Sequence, residues 1–299
     1  MTAPRTLDVS CLDSRGLHRM VCHEWGDPTN PRVLVCVHGL TRQGRDFDTL
    51  AKAMSDHYRV LCPDVVGRGE SDWLPDPMGY VVPSYVADMV TLLARSGAQQ
   101  VDWVGTSMGG LIGLGVASLF DREGRSPVRR LVLNDVGPSI QIEAVQRIGS
   151  YLGLPQRFAS PEEGSAYLRS ISSGFGPHSD EAWLALSRPQ FKPVRDAQGE
   201  GWIPRYDPSI AVPFNAITPA MVTLGEAMLW QRFDSLRCPT LVIRGAESDL
   251  LSHDTALQMT QRGPKAQLAE LPGIGHAPTL IAPEQVALVR SFLLEGTPA

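Results

Sequence analysis

The sequence predicts an α/β protein with a mostly parallel central sheet that carries helices on both faces. Short apolar runs rich in β-branched residues and bounded by glycine and proline are typical of buried strands, and they alternate along the chain with segments of helical periodicity. Parallel strands need crossover connections, which helices usually provide, so the alternation indicates a sheet covered on both sides. Residues 138–235 break the alternation and predict an inserted helical unit.

The elements follow from these patterns in chain order. An antiparallel hairpin is predicted near the beginning of the chain by residues 7–12 and 17–25, which are joined by Asp13-Ser14-Arg15-Gly16. Buried strands are predicted by apolar runs at residues 33–37, 58–63, 101–104, 131–134 and 239–245. Helical spacing predicts helices over residues 84–96 and 284–295 in the outer layers, and over 140–152, 161–171, 181–186 and 219–233 in the insertion.

The most informative motif is Gly105-Thr106-Ser107-Met108-Gly109, which lies between a predicted strand and a predicted helix. A G-x-S-x-G turn strains the serine backbone and exposes the hydroxyl at the carboxyl end of the sheet, with small neighbours that let the turn pack. Ser107 is therefore the predicted nucleophile. The backbone N–H of Met108, at the helix start, is placed to face an oxyanion.

With this turn and three further motifs in the same order, the chain resembles the α/β-hydrolase family. His38-Gly39-Leu40 follows a strand, as the family's oxyanion loop does, and the resemblance implies that Leu40 supplies the second oxyanion N–H. The Asp64-to-Ser71 turn resembles the family's Asp-x-x-Gly-x-Gly-x-Ser scaffold turn. Gly273 to Pro278 resembles the loop that holds the family's catalytic histidine, which here is His276.

Two carboxylates compete for the role of the catalytic acid. Asp249 lies in the loop after the family's seventh strand, where the acid usually resides, and is the favoured candidate. Asp135 follows the sixth strand, at the start of the insertion, and is the alternative. The expected triad is therefore Ser107, Asp249 and His276, with the histidine as base and the acid orienting the imidazole.

The inserted segment, residues 138–235, corresponds to the place where the family carries a helical lid, and residues 1–137 and 236–299 are the expected core domain. The segment is rich in aromatic residues, which either bind an apolar substrate or pack the lid on the core. Near the oxyanion loop, Arg42 and Arg45 either contact a substrate carboxylate or lie solvated at the surface, and Arg42 is the possible substrate-binding residue.

Composition excludes several other classes. The chain has 299 residues, 43% of them hydrophobic, and a net charge of -5 without a basic cluster, which disfavours a nucleic-acid partner. Residues 101–120 are apolar, but Asp102 and five glycines argue against a membrane span. The beginning of the chain has no secretory signal, so a cytoplasmic location is expected. Five cysteines without paired spacing indicate buried thiols, and neither a metal site nor a cofactor is expected.

The run Ser-Met-Gly-Gly, Ser107 to Gly110, resembles that of the family's cofactor-free haloperoxidase-like esterases. This resemblance implies a serine hydrolase that cleaves a small-molecule carboxylic ester through an acyl-enzyme intermediate. A serine nucleophile excludes the dehalogenase and epoxide-hydrolase branches, which use aspartate. The alternatives are a carbon–carbon bond hydrolase or lactonase of the same fold, although the carbon–carbon hydrolases usually have an aromatic residue after the histidine, where this chain has Ala277. A ligand receptor with slow turnover on a hydrolase scaffold is the alternative from another class. The oligomeric state is not readable from the sequence.

Overall fold

A computed structural model describes residues 3–295 and has a central sheet of eight strands. The described residues form ten strands, of which β7 and β8 lie outside the central sheet. In chain order they are β1 (Arg5–Asp13), β2 (Gly16–Trp25), β3 (Val33–Val37), β4 (Arg59–Pro63), β5 (Val101–Thr106), β6 (Val128–Asn134), β7 (Phe191–Asp196), β8 (Gly199–Pro204), β9 (Thr240–Gly245) and β10 (Gln267–Leu271). The α-helices are α1 (Asp48–Met54), α2 (Val82–Ser96), α3 (Met108–Ala117), α4 (Ile142–Tyr151), α5 (Pro161–Ile171), α6 (Asp180–Ser187), α7 (Ala211–Asn215), α8 (Pro219–Ser235), α9 (His253–Gln261) and α10 (Pro283–Leu294).

The central sheet has the order β1-β2-β4-β3-β5-β6-β9-β10. Strands β4 to β10 of this order are mutually parallel, and the hairpin β1–β2 joins their edge in an antiparallel manner. The chain passes from β3 outward to β4 and then returns to form β5 on the other side of β3. Adjacent parallel strands whose connections leave in opposite directions open a crevice at their carboxyl ends, and ligands bind there in open α/β sheets.

Two apolar clusters cover the two faces of the sheet. One contains buried residues of α2, α3 and α9, and the other contains buried residues of α1 and α10. Because both faces are covered, the central strands are buried along their whole length, as in Val33–Val37. The predicted fold class, a mostly parallel sheet with helices on both faces, is confirmed.

The inserted segment contains helices at all four predicted positions, together with the short helix α7. It also contains a hairpin that the sequence analysis missed, because β7 and β8 pair with each other in a separate two-stranded sheet. These strands are largely exposed and carry charged residues and Pro193, so they lack the apolar alternation that identifies a strand. Neither strand joins the central sheet.

Candidate active site

Ser107 stands on a sharp turn between β5 and α3. Its backbone has φ 52° and ψ −119°, a conformation in the left-handed half of the map that is unfavourable for a residue with a side chain. A Cβ atom on Gly105 would lie 2.2 Å from the Gly109 carbonyl oxygen, and one on Gly109 would lie 1.9 Å from the Val37 carbonyl oxygen. Both glycines are therefore needed for the close approach of helix and strand that exposes the serine.

His276 connects the serine to a buried carboxylate. Its Nε2 atom lies 3.0 Å from Ser107 Oγ, and its Nδ1 atom lies 2.7 Å from Asp135 Oδ2. The loop after β10 brings His276 to the carboxyl edge of the sheet, where β5 and β6 also end. The three side chains form one hydrogen-bonded chain from hydroxyl to imidazole to carboxylate, the arrangement that activates a serine hydroxyl.

Asp135 is fully buried and its carboxylate accepts three hydrogen bonds. The Gly245 N–H donates to Oδ1 at 2.8 Å, and the Ser248 hydroxyl donates to Oδ2 at 2.6 Å beside His276. Like Ser107, Asp135 has a positive φ, of 56°, directly after its strand. Donors on two sides fix the carboxylate in one orientation toward His276.

The structure therefore corrects the preference for Asp249. Its carboxylate is about half exposed and forms a bidentate ion pair with Arg147 of α4, with distances of 2.7 and 3.0 Å. The loop after β9 does reach the site, but it contributes the N–H of Gly245 and the hydroxyl of Ser248 instead of an acid. Asp135, the alternative carboxylate, is the residue that contacts His276.

The two predicted oxyanion donors lie on different elements, Leu40 in the loop after β3 and Met108 at the start of α3, next to Ser107. Among residues 3–295, neither the Leu40 N–H nor the Met108 N–H has a hydrogen-bond acceptor. Arg68, which is fully buried, contacts both residues: its Nε donates to the Leu40 carbonyl at 2.7 Å, and its Nη2 lies 3.5 Å from Met108 Sδ. Its other polar contacts are with neutral groups, the Val66 carbonyl and the Tyr85 hydroxyl. Arg68 thus connects the loop after β3 to α3.

His38, directly after β3, connects two loops of the backbone. Its ring is fully buried, Nδ1 donates to the Gly39 carbonyl at 2.7 Å, and Nε2 accepts the Val65 N–H at 2.9 Å. Burial lowers the pKa of His38 to about 4, although the Gly39 carbonyl opposes the change. The imidazole is consequently neutral at neutral pH, and only the neutral ring can both donate and accept as observed.

Arg42 and Arg45 are paired with carboxylates of the core. Arg42 forms a bidentate ion pair with Asp46, at 2.7 and 2.8 Å, and Arg45 pairs with Asp48. The Arg42 Nη2 also donates to the Leu186 carbonyl of the inserted segment at 3.3 Å. Arg42 is therefore held at the boundary between core and insertion, and Arg45 lies outside the cavities described next.

Two small cavities meet at Arg42. The first, called the insertion cavity, lies between the loop after β3 and the inserted segment, and its lining includes Thr41, Arg42, Tyr167, Leu168, Phe191 and Tyr206. The second lies beside the triad and is lined by Gly39, Arg42, Thr106, Phe175 and Ala277 among others. A Cβ atom on Gly39 would lie 3.8 Å from both Ser107 Cβ and Arg42 Cγ, so the arginine stem is close to the nucleophile.

A buried cluster that the sequence spacing did not indicate lies at the β1–β2 edge of the central sheet and consists of Cys11, His18 and Asp88. Cys11 and His18 are direct partners across β1–β2, and His18 Nε2 lies 3.2 Å from Asp88 Oδ2 on α2. Burial, reinforced by Asp88, raises the pKa of Cys11 to about 12, so its thiol is protonated. The cluster fastens the hairpin to α2. All five cysteines are buried and free.

Among residues 3–295 no helix is long and apolar enough to cross a bilayer.

Comparison with known proteins gives consistent matches over most of the chain. The family model described as alpha/beta hydrolase fold matches residues 32–283. A 3-hydroxybutyrate-oligomer hydrolase from Cupriavidus necator is 55% identical over 290 residues, which cover 97% of this chain and 98% of that protein. A 2-hydroxy-6-oxo-2,4-heptadienoate hydrolase from Pseudomonas putida is 27% identical, over 83% of this chain and 82% of that protein. The solved structure of an alpha/beta hydrolase from Novosphingobium aromaticivorans superposes with a TM-score of 0.81 at 36% identity, covering 98% of this chain and 99% of that one.

Proposed function

Because this chain belongs to the alpha/beta hydrolase fold family, we propose that it is a serine esterase that cleaves oligomers of 3-hydroxybutyrate. The observation that carries the chemistry is the hydrogen-bonded chain of Ser107, His276 and Asp135. The observation that favours the substrate is the relative from Cupriavidus necator, which is 55% identical and matches nearly end to end.

In the proposed reaction, Ser107 Oγ attacks an ester carbonyl carbon while its proton passes to His276 Nε2. The carbonyl oxygen becomes an oxyanion and accepts hydrogen bonds from the Leu40 and Met108 N–H groups, each worth about 3 kcal/mol in such sites. The intermediate then collapses, the carbon–oxygen bond to the leaving alcohol breaks, and His276 returns the proton to that alcohol. A water molecule, deprotonated by His276, releases the acid in the same way.

Asp135 is the acid in this proposal. With Oδ2 at 2.7 Å from Nδ1, its carboxylate selects the tautomer that leaves Nε2 free to accept the serine proton, and its negative charge stabilises the imidazolium that follows. The Gly245 and Ser248 donors keep the carboxylate from rotating away. Asp249 has no part in the proton transfer.

The inserted segment acts as a lid in this proposal. It contacts the site at several points: the Gly275 N–H, next to His276, donates to the Gly174 carbonyl at 2.6 Å, Arg42 donates to Leu186, and Arg147 pairs with Asp249. A segment packed over the nucleophile in this way selects the substrate and excludes water, while the reacting groups remain on the core.

The test combines labelling and product analysis. We expect a fluorophosphonate to modify Ser107 and the wild-type enzyme to release 3-hydroxybutyrate from its dimer and trimer over many turnovers. Ser107→Ala should lower kcat by roughly 10⁴ to 10⁶, since the remaining triad members act as a unit with the nucleophile. Labelling at another serine would contradict the assigned nucleophile. A single burst of product without turnover would favour a receptor over an enzyme.

The substrate class is tested separately with a carbon–carbon substrate. The Pseudomonas putida relative is named for a dienoate, so the same preparation is assayed against 2-hydroxy-6-oxo-2,4-heptadienoate. We expect ester cleavage to exceed dienoate cleavage in kcat/KM. The reverse order would replace the ester proposal with carbon–carbon bond hydrolysis.

A further inference from the structure

Three hydrogen-bond donors in the lining of the insertion cavity lack acceptors within residues 3–295, whereas the amide groups of Gln156 and Gln190 donate to neighbouring side chains. Arg42 uses Nε and Nη2 for Asp46 and Leu186, and its Nη1 has no acceptor among residues 3–295. The Tyr167 hydroxyl accepts a hydrogen bond from Gln156, and the Tyr206 hydroxyl accepts one from the Gly153 N–H at 3.3 Å. Within the described part of the chain, neither phenol has an acceptor for its own proton.

The rest of the cavity is apolar or neutral. Leu168, Ile171, Phe191 and Pro204 supply carbon surface between the donors. Arg42 is the only charged residue in this lining, and the bidentate contact with Asp46 compensates its charge. A ligand that fits these walls therefore has apolar stretches, carries an acceptor for the unpaired donors, and has no net charge.

From these observations we infer that the insertion cavity is a subsite for a second ester unit of the substrate, with its carbonyl bound by Arg42 Nη1 and the phenols of Tyr167 and Tyr206. An ester carbonyl accepts hydrogen bonds and carries no charge, so it matches the unpaired donors of Arg42, Tyr167 and Tyr206. A free carboxylate would add a charge that the Arg42–Asp46 pair does not balance. The inference rests on the proposed esterase function and names the part of the substrate that this enzyme selects.

The position of the cavity agrees with this role. Thr41 and Arg42 directly follow Leu40, the proposed oxyanion donor, and Arg42 forms a wall of both cavities. A substrate whose scissile carbonyl lies at Ser107 can therefore extend past Arg42 beneath the inserted segment. Helix α5 supplies Tyr167 and the loop after β8 supplies Tyr206, so the inserted segment carries two of the three donors and the core supplies Arg42.

The experiment compares selectivity between substrates of different length. For the wild type and each variant, kcat/KM is measured for the methyl ester of the 3-hydroxybutyrate trimer and for p-nitrophenyl acetate, and their ratio is the readout. Tyr167→Phe and Tyr206→Phe each remove one hydrogen-bond donor and keep the aromatic ring. We expect each to lower the ratio of kcat/KM for the trimer ester to that for p-nitrophenyl acetate about two- to tenfold, which corresponds to the loss of one neutral hydrogen bond. Tyr58→Phe is the matched control, because its phenol bonds to Asp102 at the opposite end of the strands and its loss should not change the ratio.

Arg42 is tested with its partner, since Arg42→Gln alone leaves the Asp46 carboxylate with the Gln190 amide as a donor but without a positive charge beside it. The double variant Arg42→Gln with Asp46→Asn removes both charges and should lower the same ratio. Unchanged ratios in all three cavity variants would overturn the inference. A wild-type preference of more than about tenfold for the trimer free acid over its methyl ester, lost in the double variant, would overturn it in favour of a carboxylate site. Failure of the esterase proposal is distinct, because then neither ester would be turned over.

Discussion

Replacing Asp135 with asparagine tests the acid assignment most directly. The Oδ1 atom faces the Gly245 N–H, and Oδ2 faces the Ser248 hydroxyl and His276 Nδ1. If the introduced NH2 group faces Gly245, two donors, this NH2 group and the Gly245 N–H, point at each other. An amide group placed toward His276 donates to Nδ1 and drives the ring proton to Nε2, where the imidazole can no longer accept from Ser107. Each orientation disables the base or leaves a buried donor unpaired.

The expected magnitude follows from these two losses. The wrong tautomer and the missing negative charge should lower kcat about 10⁴-fold, which corresponds to about 5 kcal/mol of transition-state stabilisation. An unpaired buried donor should reduce the free energy of unfolding by about 1 to 3 kcal/mol. Steady-state hydrolysis of p-nitrophenyl butyrate and urea unfolding measure the two quantities.

Asp249→Asn is the matched control, because it makes the same chemical change in a carboxylate that is about half exposed. Losing its ion pair with Arg147 should cost less than about 1 kcal/mol of stability. Its kcat should remain within a few-fold of wild type. If Asp249→Asn were the inactive variant and Asp135→Asn retained activity, the reasoning from the hydrogen-bonded chain would be refuted.

Three further outcomes are expected. Because burial lowers the pKa of His38 to about 4, the folded state binds a proton at this ring more weakly than the unfolded state does. The free energy of unfolding should therefore fall by about 3 kcal/mol as the pH drops from about 6.5 through about 4. Urea titrations should show a weaker pH dependence in His38→Asn than in the wild type. Gly109→Ala places a methyl against the Val37 carbonyl and should destabilise the fold by about 3 kcal/mol or more, whereas Gly225→Ala, with open space around it, should be neutral or stabilising in the same thermal unfolding assay. Arg68→Met should lower kcat about 10- to 100-fold, because the proposed oxyanion donors would be held less firmly. The affinity for a boronic acid inhibitor should fall in parallel with kcat/KM. A loss of thermal stability without either effect would limit Arg68 to a packing role.

The sequence was sufficient where local rules act. The Gly-rich turn at Ser107 needs small residues for steric reasons, and the apolar runs of the central strands are long enough to identify buried parallel strands. The positions of Ser107 and His276 within hydrogen-bond reach of each other agree with the motif order. These features depend on residues that are close together in the chain or on strand ends that meet at one edge.

The acid could not be decided in the same way. Asp135 and Asp249 both follow strands that end at the same edge, and motif position favoured the one that lies outside the hydrogen-bonded chain. What separates them is three-dimensional: Asp249 has the exposed Arg147 as its partner, whereas Asp135 receives donors from Gly245 and Ser248. A side chain's direction within a loop depends on such partners, and sequence patterns do not encode it.

The hairpin of β7 and β8 and the cluster of Cys11, His18 and Asp88 were missed for related reasons. The hairpin is exposed and has little apolar alternation, so a pattern based on burial has nothing to detect. The cluster joins residues from two strands and a helix that are distant in the chain, and only the pairing of Cys11 with His18 across the hairpin brings them together.

The pairing of β5 with β6 has a practical consequence for engineering. Thr106 and Asn134 are partners in the sheet, and the Ser107 N–H donates to the Asn134 carbonyl at 2.9 Å, so Ser107 and Asp135, the proposed nucleophile and acid, follow neighbouring strands with one shared register. Their spacing does not depend on the length of the loop after Asp249. The loop nevertheless fixes the orientation of the carboxylate, because Ser248 donates to Asp135 and accepts the N–H groups of Leu250 and Leu251. Engineering of this loop should therefore keep residues 248–251 unchanged, since their loss would turn the Asp135 carboxylate without changing the spacing of the two strands.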